Sequence, residues 1–158
     1  MTRSAIVITA SNRASKGIYQ DTSGEILAAG LRDLGYVVAD VVIVQDDIQQ
    51  IQTALHDALA KEFELIVTTG GTGISPTDVT PEATAVVIEK LLPGIPEALR
   101  DYSRTKVPTA DLSRGLAGVA RNSLIINLPG SPGGVRDGLV IIERLAPHVH
   151  DQLAGKDH

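Results

Sequence analysis

Short apolar runs rich in β-branched residues alternate along this chain with longer stretches in which apolar positions recur every three or four residues. Ala5-Ile6-Val7-Ile8-Thr9-Ala10, Val37 to Val44, Leu65 to Thr69, Ala117 to Ala120 and Leu124 to Leu128 read as strands. Helical spacing joins Ile26, Leu27, Leu31 and Leu34, and again Ile48, Ile51, Leu55 and Leu59. It returns in Ala83, Val86, Val87 and Leu91, and in Val135, Leu139, Ile142, Leu145 and Val149. The third of these helices is expected from Pro81 to about Leu91. Pro93-Gly94-Ile95-Pro96 then breaks it before a further helical segment from Glu97 to Ser103. Gly35 sits where a C-cap glycine belongs. Ser11-Asn12-Arg13 reads as a polar turn, Lys16 to Ser23 as a loop, and Val107 to Ser113 as connecting chain. Arg121-Asn122-Ser123 reads as the turn of a hairpin. Strands alternating with amphipathic helices predict an α/β fold: three layers, α/β/α, around a mostly parallel, mixed sheet.

The densest signal lies in Leu65 to Ala83. A buried strand runs into Gly70-Gly71-Thr72-Gly73, then a polar loop carrying Asp78, then Thr80-Pro81-Glu82. Threonine as N-cap, proline at the first helical position and a glutamate in the first turn form a helix entry. Glycines let backbone approach a ligand closely, and a helix N-terminus favours negative charge, so the stretch points to a phosphate. No lysine lies between Glu64 and Glu89, which excludes a P-loop, and position 76 is proline, which excludes the dinucleotide fingerprint. A carboxylate facing an anion is repulsive unless a cation sits between them, and Mg²⁺ suits such a place. The device recurs near the C-terminus: Leu124 to Leu128 feeds Pro129-Gly130, then Ser131 as N-cap with Pro132 after it. Two helix entries can converge on one polyanion.

Composition narrows the class. The 158 residues are 43% hydrophobic but only 3% aromatic, enough for one domain with an aliphatic core, expected over 1–153 with a frayed tail at 154–158. A net charge of −5 and a pI near 5.3 argue against nucleic-acid or membrane-surface partners. The chain has no cysteine, so thiolate nucleophiles, disulfides and zinc–thiolate sites are excluded. Ala5 to Ala10 is too short for a signal-peptide core and no apolar run reaches membrane-spanning length, so a cytoplasmic protein is expected. His148 and His150 are one residue apart with no third ligand in view, a poor metal pair.

Thr69-Gly70-Gly71-Thr72-Gly73 followed by Pro76-x-Asp78-Val79-Thr80-Pro81-Glu82-Ala83-Thr84 resembles the signature of the molybdopterin adenylyltransferase family, the MogA/MoaB group of molybdenum-cofactor biosynthesis. The similarity runs from the first strand to the last helix. It implies that the terminal phosphate of molybdopterin attacks the α-phosphate of ATP, with Mg²⁺ as cofactor and pyrophosphate released. Asp46 and Asp78 are then the catalytic, metal-holding carboxylates. Asp46 or its neighbour Asp47 could equally be a helix N-cap, and Asp47 is the fallback for the metal. Ser11, Gly70, Gly71, Thr72, Gly73 and Thr80 are the implied nucleotide-phosphate contacts, the glycine turn donating through backbone N–H groups. Asp21, Ser23, Ser113, Arg114, Asn127, Pro129, Gly130 and Ser131 are the implied molybdopterin contacts; Asp21 or Ser23 also reads as the cap of the following helix. Attack by an existing phosphate oxygen needs no strong base, which fits the absence of a candidate nucleophile. The resemblance further implies a homotrimer and a molybdenum-inserting partner. It leaves open a catalytically weak carrier of the pterin, or a nucleotide pyrophosphohydrolase.

Overall fold

The computed structural model describes residues 2–157. Its strands are β1 (Ser4–Ala10), β2 (Val37–Val38), β3 (Val42–Val44), β4 (Leu65–Thr69), β5 (Lys90–Leu91), β6 (Ala117–Ala120) and β7 (Ser123–Leu128). The helices are α1 (Asn12–Ser15), α2 (Thr22–Asp33), α3 (Ile48–Ala60), α4 (Thr80–Ala85), α5 (Gly94–Arg104) and α6 (Pro132–Leu153). The strands form one sheet in the order β2-β1-β4-β7-β6-β5, with β3 also beside β1. Pairings among β1, β2, β3, β4 and β7 are parallel, and the β6–β7 and β5–β6 pairings are antiparallel. The mixed, mostly parallel sheet is the one expected.

Strand periodicity builds the layers. Ala5 and Val7 of β1, Leu65 and Val67 of β4, and Leu124, Ile126 and Leu128 of β7 point to one side, under α2, α5 and α6. Ile6, Ile8, Ile66 and Ile125 point to the other, under Ile51, Leu55 and Leu59 of α3 and Ala83 of α4. Both faces are covered, so these strands read as continuous apolar runs. Chain crossovers leave β1 in opposite directions, which opens a crevice beyond the carboxyl ends of β1 and β4.

Several local expectations are corrected. The run Val37 to Val44 is two strands: Val37 lies opposite Ser4 and Val42 opposite Ile8, so the edge carries one more residue than β1 between the two pairings. That is a bulge, a common feature of sheet edges. Ser11-Asn12-Arg13 opens the single-turn helix α1, with Ser11 Oγ accepting from the Ala14 N–H at 3.2 Å. The helix from Pro81 ends at Ala85, because the stiff Val86-Val87-Ile88 follows and Lys90-Leu91 pairs with β6 instead. Finally, α5 begins at Gly94 rather than Glu97, since Pro96 falls in the first turn, where its missing N–H costs nothing. Ile48, expected on the buried face of α3, is 41% exposed. The chain leaves α6 through Gly155 at φ +76. The tail expected to fray ends on His158, which lies outside the described residues.

Candidate functional site

Register brings the parallel strands to a common edge. Ala10 pairs with Val44, Thr9 with Thr69, and Thr69 with Leu128, so the loops after β1, β3, β4 and β7 leave the sheet side by side. Between them lies a cleft of about 420 Å³. Ser11, Asp21, Ser23, Asp46, Gly70, Gly71, Asp78 and Gly130 all line it, drawn from segments far apart in sequence. Thr9, Tyr19, Thr22, Thr69 and Pro132 border it as well. Among the described residues, the lining holds three aspartates and no lysine or arginine.

Adjacent carboxylates after β3 divide their work. Asp47 Oδ2 accepts from the Gln50 N–H at 2.9 Å and caps α3. Asp46 faces the cleft, and its Oδ2 accepts from the Asn12 N–H at 3.1 Å while its own N–H donates to Asn12 Oδ1 at 2.9 Å. Burial raises the Asp46 carboxyl above the usual aspartate range; the Asn12 N–H pulls it back, and the charge of Asp78 pushes it up again. Asp78 is fixed by a tight turn, its Oδ2 accepting from the Ser75 N–H at 3.0 Å. The sequence pattern places Asn12 only in a polar turn. Its signal was position, directly after the first strand in a topology that places ligands there.

The glycine turn is shaped by contacts that a side chain would obstruct. Gly70 has φ +94, and a Cβ there would lie 2.4 Å from the Ala10 carbonyl oxygen; Gly71 has φ +69. Gly70 is not a free donor, since its N–H donates to the Leu128 carbonyl at 3.1 Å. Among the described residues, the N–H groups of Gly71, Thr72 and Gly73 meet no protein acceptor. Thr80 does not cap: Val79 occupies the N-cap position, and α4 is a six-residue helix without a side-chain cap. The helix entries that border the cleft belong instead to α2, through Asp21, Thr22 and Ser23, and to α6, through Gly130 and Pro132.

Asp21, rather than Ser23, caps α2: its Oδ1 accepts from the Gly24 N–H at 3.0 Å and its Oδ2 from Thr9 Oγ1 at 2.7 Å. Ser23 Oγ donates to the Gly130 carbonyl at 2.7 Å, and Thr69 Oγ1 to the Pro129 carbonyl at 2.8 Å, tying the second turn to the first. Ser131 caps α6 as expected, accepting from the Gly134 N–H at 3.1 Å.

Three residues expected to touch the pterin are engaged elsewhere. Asn127 is 2% exposed; its Nδ2 donates to Thr68 and Thr84 hydroxyls, and its Oδ1 accepts from the Leu116 N–H. It braces the core and does not line the cleft. Arg114 folds its guanidinium onto the glycine loop: Nε donates to the Gly73 carbonyl at 2.9 Å, Nη2 to the Asp78 carbonyl at 3.1 Å, and Nη1 to Glu82 at 2.8 Å. The guanidinium therefore holds the loop that carries Asp78. Ser113 Oγ lies 3.4 Å from Thr72 Oγ1, beneath the same loop.

Residues 6–148 match the model of the family described as "Probable molybdopterin binding domain". The chain is 40% identical over 154 residues to the molybdopterin adenylyltransferase of Helicobacter pylori, covering 94% of this chain and 86% of that one. It is 39% identical over 154 residues to a molybdenum cofactor biosynthesis bifunctional protein of Synechococcus elongatus, covering 98% of this chain and 48% of that protein. The solved molybdopterin biosynthesis Mog protein of Mycobacterium ulcerans superposes with a TM-score of 0.91 at 47% identity, over 96% of this chain and 99% of that one. With the motif, the fold and the match over nearly its whole length in agreement, the chain belongs to the molybdopterin-binding family of molybdenum-cofactor biosynthesis proteins.

Proposed function

We propose that the chain is a cytoplasmic adenylyltransferase that joins molybdopterin to AMP. A terminal phosphate oxygen of molybdopterin attacks the α-phosphorus of ATP, the bond to the β-phosphate breaks, and pyrophosphate leaves with the bonding pair. Similarity to relatives named molybdopterin adenylyltransferase supports this reaction. The observation that carries it is the cleft itself: Asp46 and Asp78 face it together, and no lysine or arginine among the described residues lines it. A triphosphate and a phosphate monoester cannot be held together against three aspartates in a partly buried site without a cation. The carboxylate pair fits a divalent ion that completes its shell with phosphate oxygens, and Mg²⁺ is the expected one. When bound, such an ion neutralises phosphate charge and orients the α-phosphate.

The chain's own residues supply position. Asp46, fixed by Asn12, and Asp78, fixed by Ser75 and the Arg114-clamped loop, are the residues that would hold the ion. Gly71, Thr72 and Gly73 offer backbone N–H groups to the triphosphate. Asp21, Ser23, Gly130 and the α6 entry at Ser131 form the opposite wall, assigned to the pterin and its phosphate. A phosphate monoester already carries its nucleophilic oxygen near neutral pH, so orientation and charge neutralisation suffice. A homotrimer and hand-over to a molybdenum-inserting partner belong to the same reading. The Synechococcus protein, which carries this unit in about half its length, supports a partner that acts on the product.

The deciding experiment is ATP turnover with Mg²⁺, with and without molybdopterin, following adenylylated pterin and pyrophosphate. Pterin-dependent formation of both is expected. Asp78→Asn and Asp46→Asn are each expected to lower turnover at least about a hundredfold while leaving pterin binding largely intact. Tight pterin binding without product would make the protein a carrier. Nucleotide breakdown indifferent to the pterin would make it a hydrolase.

A further inference from the structure

Aromatic side chains are scarce in this chain, three tyrosines and one phenylalanine, and most of them are occupied within the protein. Tyr36 stands edge-on to His150, with ring centroids 5.8 Å apart. Lys106 Nζ lies 4.2 Å from the centroid of the Tyr102 ring, and Arg144 Cζ lies 5.3 Å from it. Phe63 packs against the core beneath α3. Tyr19 is the exception. It is 53% exposed and, among the described residues, it is the aromatic side chain that borders the cleft. The loop presenting it is closed at both ends. Gly17, at φ +71, follows α1 with its N–H on the Ala14 carbonyl at 3.1 Å, and the Ile18 N–H reaches back to the Arg13 carbonyl at 2.9 Å. Past Tyr19, the Gln20 side-chain amide donates to Glu25, and the Thr22 N–H donates to the Gln20 carbonyl at 3.0 Å. Asn12 in turn latches α1 to Asp46, so one short element positions both the ring and a carboxylate of the site.

A bare aromatic face at the border of a polar cleft suits a flat heterocycle, because a tyrosine ring offers a large, stiff contact surface at little entropic cost. Both substrates of the proposed reaction carry such a ring, and placement decides between them. Tyr19 stands two residues before Asp21, on the side of the cleft built from the α2 entry, whereas the glycine turn, Asp46 and Asp78 come from the loops after β3 and β4. Its polar neighbours are committed: the Asp21 carboxylate accepts from the Gly24 N–H and the Thr9 hydroxyl, and Ser23 Oγ donates to the Gly130 carbonyl. Tyr19 is therefore the large side-chain surface that remains free there. Resting on the assignment of that wall to the pterin, we propose that Tyr19 stacks on the flat aminopyrimidinone ring of molybdopterin. Phosphate contacts hold one end of that substrate; the tyrosine face holds the other, and the two together aim the terminal phosphate at ATP.

Three variants test this. Tyr19→Phe keeps the ring and drops the hydroxyl, Tyr19→Leu keeps apolar bulk without an aromatic face, and Tyr19→Ala removes both. The readouts are molybdopterin binding by ultrafiltration, ATP affinity with Mg²⁺ by calorimetry, and thermal melting without ligand. Tyr19→Ala and Tyr19→Leu are expected to bind molybdopterin about tenfold more weakly and Tyr19→Phe within about twofold of wild type. ATP affinity and melting temperature stay near wild type in all three, and in turnover the loss falls on KM for molybdopterin. A merely structural tyrosine would lower the melting temperature or weaken both substrates alike. Wild-type pterin affinity in Tyr19→Ala overturns the proposal, as does full rescue by leucine, failure of phenylalanine to rescue, or a loss confined to ATP. Wild-type protein that binds molybdopterin without adenylylating it would defeat the reaction while leaving Tyr19 to be judged on binding. Wild-type protein that binds no molybdopterin defeats both.

Discussion

Asp46 and Asp47 occupy neighbouring positions with the same chemistry, yet backbone geometry gives them separate tasks. Asp47 spends its carboxylate on the first turn of α3, while Asp46 is turned into the cleft and latched to Asn12 by a reciprocal pair of hydrogen bonds. Asp47→Ala is therefore expected to cost about 1 kcal/mol of stability in urea denaturation, the usual value of an N-cap, with turnover within about twofold of wild type. Asn12→Ala should do the reverse. Losing the latch leaves the fold intact but lets Asp46 wander, and turnover is expected to fall about tenfold or more, as when a partner of a metal-holding side chain is removed. Comparable damage to stability and turnover in both variants would show that this division of labour is wrong. Asp21 makes the same point from the other wall: one carboxylate both caps α2 and receives the Thr9 hydroxyl, so lining a cleft and building it are not exclusive.

Among the elements, the loop from Gly70 to Val79 depends most on distant support. Its own residues include few apolar anchors, and Ile74 is 74% exposed. It is held from outside by Arg114, whose planar fork reaches the Gly73 and Asp78 carbonyls at once, and by the Arg114 N–H on the Thr72 carbonyl. An arginine two-thirds of the way along the chain thus determines where Asp78 stands. Arg114→Ala is expected to speed hydrogen exchange of the Ser75 and Asp78 amides and to lower turnover about tenfold. Lysine should not rescue it, since a single ammonium cannot span two carbonyls and a carboxylate. Unchanged exchange at those amides would remove the clamp from the account. The pairing of Arg114 with Glu82 is partly exposed and adds little by itself.

Across the whole molecule, the sheet separates the edge that carries the cleft from an opposite end where β1 begins. There Tyr36, just after α2, meets His150 near the end of α6, the phenol oxygen lying 2.9 Å from Nε2. Burial pushes the tyrosine up to about 12, with Arg3 lowering it and Glu64 raising it. Burial also holds His150 below its ordinary 6.5; Arg3 acts in the same direction, against Glu64 and Asp151. The native state therefore refuses a proton that the unfolded chain accepts. This contribution is complete above pH 6.5 and is lost as pH falls through that value toward the native pKa, at most about 1.4 kcal/mol per unit. Melting temperature should hold at higher pH and drop as pH falls below 6.5, and His150→Gln should flatten that slope. A slope unchanged by the substitution would assign the loss to other groups.

The alternation of apolar strands with amphipathic helices was enough to specify a layered α/β fold, because period and length report directly on which residues face the core. The glycine turn with Asp78, and the carboxylates after β3, were legible for a related reason: in such folds the ligand lies beyond the strand ends, whatever the details of packing. What the pattern could not carry was competition for hydrogen bonds. Whether Asp46 or Asp47 caps a helix, whether Arg114 grips a phosphate or a carbonyl, and whether Asn127 faces a ligand or a core threonine depend on partners dozens of residues away. Helix length failed for the same cause, since Lys90 and Leu91 are helical in pattern but gain a ladder with β6 that no local signal announces. Composition and periodicity fix which side chains are buried; only the folded chain brings each donor to its acceptor, and at this cleft that pairing separates the residues that can touch a ligand from those that hold them in place.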